Sequence, residues 1–233
     1  MTSTAPSTPA RRLRRYTCGA ALILFPALLV VEGPLDPAPG GSGEVMYRAA
    51  TEHAAALTAS AVLLLVSGML MVPAAAAVLH QARDRGSVLA DIGAVLAVLG
   101  GFGHAAISVF YLIALGLAGG DRAEMAAYVD RVNESAALGF VAFPLILCFG
   151  LGVGVLAWAA WRSGAIGWWA PAVVTAVVVA HLVLPIDSAV IELVGLGALA
   201  VVFGWLGVRV LRMTDAEWDG IPSRGARREA VAA

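Results

Sequence analysis

The chain has 233 residues, 60% of them hydrophobic and only 13% charged, with a formal net charge of -1. Soluble domains carry about 25% charged residues, so this chain has too little polar surface to keep a globule in water, and the bilayer is its natural solvent. The near-neutral balance argues against a nucleic-acid partner, and two cysteines without a CxxC pair imply no structural zinc or dithiol site.

Residues 1–10 are rich in Ser, Thr, Pro and Ala, and Arg11, Arg12, Arg14 and Arg15 follow. Together these predict a disordered basic tail over 1–15. An apolar run at 16–31 comes next. A basic start before an apolar run also suits a signal peptide. However, Glu32-Gly33-Pro34-Leu35-Asp36 lacks a small-x-small cleavage pattern, and five more apolar runs follow, so an uncleaved first span is expected. Those runs lie at 54–79, 88–118, 136–161, 168–184 and 190–211. Each is near or above the ~20 residues that cross a ~30 Å hydrocarbon core. The expected fold is all-α: a polytopic six-transmembrane-helix bundle over 16–211, with a cytoplasmic tail at 212–233. Residues 33–51 read as a Gly/Pro-rich loop. Residues 121–135 read as a short amphipathic helix with Met125, Val129 and Val132 on one side.

Orientation follows from arginine, because all 15 basic residues are Arg. With the N-terminus inside, only Arg48, Arg122 and Arg131 fall in outer segments, and every inner segment contributes to the rest. The rule therefore predicts both termini in the cytoplasm. The absence of Lys with so much Ala and Gly reads as a high-GC bacterial coding bias, so the expected location is a bacterial plasma membrane. Trp158, Trp161, Trp168, Trp169 and Trp205 all fall near inner helix ends, where indole rings favour the headgroup level. The outer segments are acidic, holding Glu32, Asp36, Glu44, Glu52, Asp121, Glu124, Asp130, Glu134, Asp187 and Glu192. A loose internal repeat relates Glu52, Arg85-Gly86 and His104 to Glu134, Ser163-Gly164 and His181; two parallel hairpins or chance similarity both account for it.

For packing, Gly150-x-x-x-Gly154 and Gly116-x-x-x-Gly120 match the small-residue contact pattern, and the Gly100, Gly101, Gly103 cluster lets a neighbour approach closely. Pro73 and Pro144 lie inside spans as candidate kinks.

Ionisable groups deep in lipid are functional candidates by default. His104 and His181 fall inside spans. His53 and Glu52 open the second span, and Asp187 and Glu192 bracket the turn before the last. These groups could converge in one outer-half cavity. Three chemistries suit them. A haem b between His104 and His181 would use two axial imidazoles. A divalent metal would need His53, His104 and His181 with Glu52 or Asp187, but no local ligand spacing supports it and no metal is predicted. A proton relay or binding cavity would exploit histidine titration near neutral pH. The plain alternative is a neutral His104 hydrogen-bonded to a helix backbone or to Ser108. HExxH is absent, Leu65-Val66-Ser67-Gly68 lacks the first Gly of a GxSG motif, and without Lys no Walker sequence can exist.

The order of features carries a resemblance. "LLLVSGMLMVPAAAAVLH" (63–80) leads into "ARDRG" (82–86) and then "GAVLAVLGGFGHAAISVFYLIALGLA" (93–118). This layout resembles small multi-pass integral membrane proteins of actinobacteria, an uncharacterised group. The resemblance spans most of the chain and implies no activity, cofactor or site residue. The leading expectation is a non-enzymatic membrane protein serving small-molecule passage, an accessory-subunit role or a membrane-stress role. Its partners would be the bilayer and either a second copy or another membrane protein. The alternative is a haem- or metal-binding redox or enzymatic protein that uses His104 and His181.

Overall fold

The computed structural model describes residues 9–39, 41–183 and 189–219, which form helices and their connections without a strand. The helices are α1 (Pro9–Leu35), α2 (Gly43–Glu52), α3 (Ala54–Ala82), α4 (Ser87–Ala114), α5 (Arg122–Asn133), α6 (Ala136–Arg162), α7 (Trp169–Val183), α8 (Ala189–Arg212) and α9 (Asp215–Trp218). A 3-10 turn, Leu115–Gly119, extends α4. Five helices (α1, α3, α4 with its extension, α6 and α8) are long and apolar enough to cross a membrane, and α7 is a shorter apolar helix.

The outward surface is apolar as well. Phe102, Ile113, Phe140, Val141 and Phe143 are all exposed. In water such a surface would drive aggregation; in a bilayer it faces lipid. The chain is therefore a multi-pass membrane protein by helix length, composition and surface.

Two segments differ from the sequence reading. α1 starts at Pro9, ahead of the apolar run, so Arg11 to Arg15 belong to a helix rather than to a disordered tail. It also runs through Gly33-Pro34 to Leu35. A proline in the last turn removes few ladder bonds, and Asp36 N–H still reaches the Glu32 carbonyl at 2.9 Å. Within 33–51, read as a loop, the stretch Gly43–Glu52 is helical, with Met46, Ala49 and Ala50 buried.

The 121–135 segment is the expected amphipathic helix. Asp121 caps it by accepting from Glu124 N–H at 3.0 Å. Val129 is buried and Met125 and Val132 are half-buried. The apolar side meets α2. An added Cβ at Gly43 would lie 2.0 Å from the Ala126 carbonyl oxygen, so only glycine fits there. Gly43 N–H donates to Asp130 Oδ1 at 2.7 Å, and Arg122 pairs with Glu44.

The hydrogen bonds from Arg122 hold the Glu44 carboxyl below its ordinary range. A depressed carboxyl stabilises the folded pair above the free-residue value of about 4.3 and stops doing so as pH falls through the lower folded value. We therefore expect α5 to loosen from α2 in acid. A spin label at Tyr128→Cys, in a background lacking Cys18 and Cys148, should gain mobility as pH falls from 7 to below about 4. Unchanged mobility would show that the ion pair does not hold α5.

The long helices form a ring. α1 packs between α8 and α3, and α4 packs between α3 and α6. α7 closes the ring between α6 and α8 through less extensive contacts. Glycine sets the close crossings. An added Cβ would meet the Phe149 Cα at 2.3 Å from Gly100, and the Ala97 N at 2.3 Å from Gly152. Gly68 and Gly101 meet face to face between α3 and α4, and Gly19 and Gly207 do so between α1 and α8. The Gly100, Gly101, Gly103 cluster thus admits two neighbours, α6 and α3. The two GxxxG matches make no backbone-to-backbone crossing: a Cβ at Gly116 or Gly154 meets nothing within 4 Å, and one at Gly120 or Gly150 meets only the side chain of Met125 or Val178.

One end of the ring gathers arginine and tryptophan. Arg11 Nη1 pairs with Asp219 at 3.0 Å, and Arg12 with Asp215 at 3.0 Å. Arg15 is buried there, donating to the Leu211 carbonyl at 2.8 Å and the Met213 carbonyl while pairing with Asp215 at 3.3 Å. It caps the open C-terminus of α8. Trp218 on α9 stacks on His80 at the end of α3, 4.0 Å between ring centroids. The opposite end carries α2, α5 and most of the carboxylates.

Candidate functional site: a polar cavity inside the ring

Buried apolar residues fall into two clusters. One, toward the arginine end, joins Met71, Val78, Ala97, Val153, Leu156 and Phe203. The other, toward the acidic end, joins Leu29, Met46, Leu57, Leu64, Tyr111 and Val129. Small residues explain the tight first cluster: Ala74, Ala75, Ala77 and Gly152 let α3, α4 and α6 close on one another. A cavity of about 280 Å³ opens between the clusters.

The five long helices and α7 line it. α1 supplies Leu29 and Glu32, α3 Leu64, α4 His104 and Ile107, α6 Ile146 and Phe149, α7 Val178 and His181, and α8 Glu192 and Leu196. The wall is mainly apolar, with two carboxyl groups and two imidazoles set into it. Concave apolar sites with a few convergent polar groups are the usual form of a small-molecule site.

His104 and His181, expected as a pair, line this one cavity, and Glu192 joins them. Glu52 and His53 do not. They sit exposed where α2 meets α3, because α2 ends at Glu52 and the chain breaks its helical path at His53. Asp187 lies outside the described residues. Among the described residues no three His, Cys, Asp or Glu side chains stand close enough to hold a metal ion.

Glu32 is the cavity residue that the sequence reading left in an outer loop. It is 8% exposed. Its position was legible in the spacing of Phe25, Leu29 and Glu32, which recur at helical intervals and share the buried face. Gly33-Pro34 masked that signal by suggesting an earlier helix end. Glu192 lies across from it: a Cβ added at Gly33 would stand 3.9 Å from a Glu192 carboxyl oxygen. No ion pair among the described residues involves Glu32 or Glu192. Asp36, one turn beyond Glu32, is occupied instead by Tyr111, whose hydroxyl donates to it at 2.8 Å.

His104 does not serve as a simple helix-to-helix tie. It is 9% exposed, its ring lies tilted against Phe149 with centroids 4.4 Å apart, and its Nδ1 has no hydrogen-bond partner. Ser108, one turn away, is buried with its Oγ unpartnered. Buried polar atoms without partners are uncommon. Ser67, by contrast, donates to the Phe25 carbonyl at 3.0 Å and is spent on packing.

Protein-family models, curated proteins and solved structures were all compared with this chain, and none matches it.

Proposed function

We propose that this chain is an integral protein of a bacterial plasma membrane, crossing it six times with both termini in the cytoplasm. We further propose that it holds or passes a small molecule through the cavity rather than catalysing a reaction on it. The cavity carries this reading: a space lined by six helices, with unpaired carboxyl groups and an unpartnered buried imidazole.

α7 supports the sixth crossing. Arg209 donates to the Gly164 and Ala165 carbonyls just before α7, at 3.2 and 2.5 Å, which places its start at the arginine end. Its 15 described residues rise about 22 Å toward the acidic end, most of the ~30 Å core. The arginine bias supports placing that first end in the cytoplasm. In a background without Cys18 and Cys148, Ser42→Cys and Ala127→Cys should react with an impermeant maleimide added to intact cells, and Asp84→Cys should not. The reverse pattern would overturn the orientation.

The cavity itself is tested with 1-aminoanthracene, a neutral fluorescent probe small enough to enter it. Saturable binding to the purified protein is expected. Val178→Phe and, separately, Leu64→Phe should abolish it while the gel-filtration profile is retained. Binding unaffected by both would place the probe elsewhere.

A second reading rests on His104 and His181 sharing the cavity, since a haem b could take two imidazole ligands there. Its test is an absorption spectrum of protein from haem-supplied cells. A Soret band lost in His104→Ala would favour it over passive binding.

A further inference from the structure

Building on the cavity-binding reading, we propose that the ligand is a membrane-partitioned amine or similar monocation with a short apolar body. It enters sideways between α6 and α7 and places its charge among Glu32, Glu192 and His104.

The polar lining has one chemical character. Glu32 and Glu192 offer carboxyl oxygens, and neutral imidazole offers one acceptor nitrogen at each of His104 and His181. Among the described residues no Arg lines the cavity. An anionic ligand would meet two carboxyl groups without a counter-charge. An ammonium group brings up to three donors and a positive charge, so it matches the carboxyl oxygens of Glu32 and Glu192 in a wall that offers no cation of its own among the described residues. The aliphatic wall of Leu29, Leu64, Val178 and Leu196 accepts the apolar body.

The route follows from exposure. Ile146 on α6 and His181 on α7 line the cavity and are also exposed, Ile146 by 46%. α7 has the least extensive contacts of the ring helices, on both its α6 and α8 sides. The opening therefore faces the hydrocarbon between α6 and α7, where an amphiphile already dissolved in the membrane arrives.

The test compares n-octylammonium with 1-octanol, matched in chain length, as competitors of bound 1-aminoanthracene in nanodiscs at equal bilayer concentrations. Octylammonium is expected to displace the probe at about tenfold lower concentration or better. In Glu32→Gln/Glu192→Gln, and in Glu192→Gln alone should the double variant not fold, that ratio should fall toward one. Equal potency on the wild-type protein, or a preference that survives these substitutions, overturns the proposal while leaving the cavity reading intact. Failure of 1-aminoanthracene to bind at all overturns both. Ile146→Trp should slow octylammonium association several-fold, and an unchanged rate rules out the lateral route.

Discussion

Gly100→Ala is expected to destabilise the bundle by about 3 kcal/mol or more, beyond the usual range for overpacking. The new Cβ would lie 2.3 Å from the Phe149 Cα and 2.5 Å from its nitrogen. Both are backbone atoms, so no side-chain rotation relieves the clash, and α4 and α6 must separate along their whole contact. Separation is costly in lipid, where helices associate through close packing rather than water expulsion. The same substitution at Gly154, on α6, meets nothing within 4 Å. There it should stabilise by up to about 1 kcal/mol, since alanine is the better helix former. Measuring the fraction that stays monodisperse in detergent after a temperature series separates the two. Similar losses for both variants would show that glycine contributes only backbone flexibility and that the α4–α6 approach is not limiting.

Arg15→Ala is expected to cost about 3 kcal/mol, the lower end for breaking a buried charge pair. Arg15 is only 6% exposed and holds the last carbonyls of α8 while pairing with Asp215. Its removal uncaps α8 and leaves the Leu211 and Met213 carbonyls without their donor, while Asp215 keeps its exposed partner Arg12. Arg15→Lys should recover only part of the loss, because a lysine ammonium cannot reproduce the planar fork that reaches several acceptors at once. Arg12→Ala is the control. Arg12 pairs with the same Asp215 from an exposed position, and exposed pairs are worth about 0–1 kcal/mol. Thermal midpoints of the three variants in one detergent decide the matter. Equal effects of Arg12→Ala and Arg15→Ala would mean that Arg15 acts only as a surface charge.

These two residues mark the limit of what sequence reveals. The arginines at 11–15 were legible as a topogenic signal, because a positive cluster beside an apolar run carries meaning without a partner. That Arg15 alone turns inward was not, since its acceptors lie on α8, far along the chain. The glycine cluster at 100–103 was legible as a place of close approach. Gly152, which meets Ala97 from the other side, was hidden among matches of equal quality at Gly150 and Gly154. Spacing places a residue on a face of its own helix, but the choice of facing helix is a tertiary matter.

The site divides in the same way. His104 and His181 stood out because imidazoles are rare inside apolar runs, and both do line the cavity. Glu52 and His53 were drawn in by their nearness to a span, and α2 carries them away from it. Glu32 was passed over because Gly33-Pro34 resembled a helix end.

The sequence by itself determined the solvent, the all-helical class, the position of the long helices and the separation of arginine from acid along the chain. Each depends on composition or periodicity within one segment, where the physics is local. The tertiary structure alone decided which helices touch, that α2 and α5 pair, and that Glu32, His104, His181 and Glu192 surround one space. Those facts depend on the distances at which backbones can meet, set by glycine and alanine on one helix against whatever the opposite helix presents.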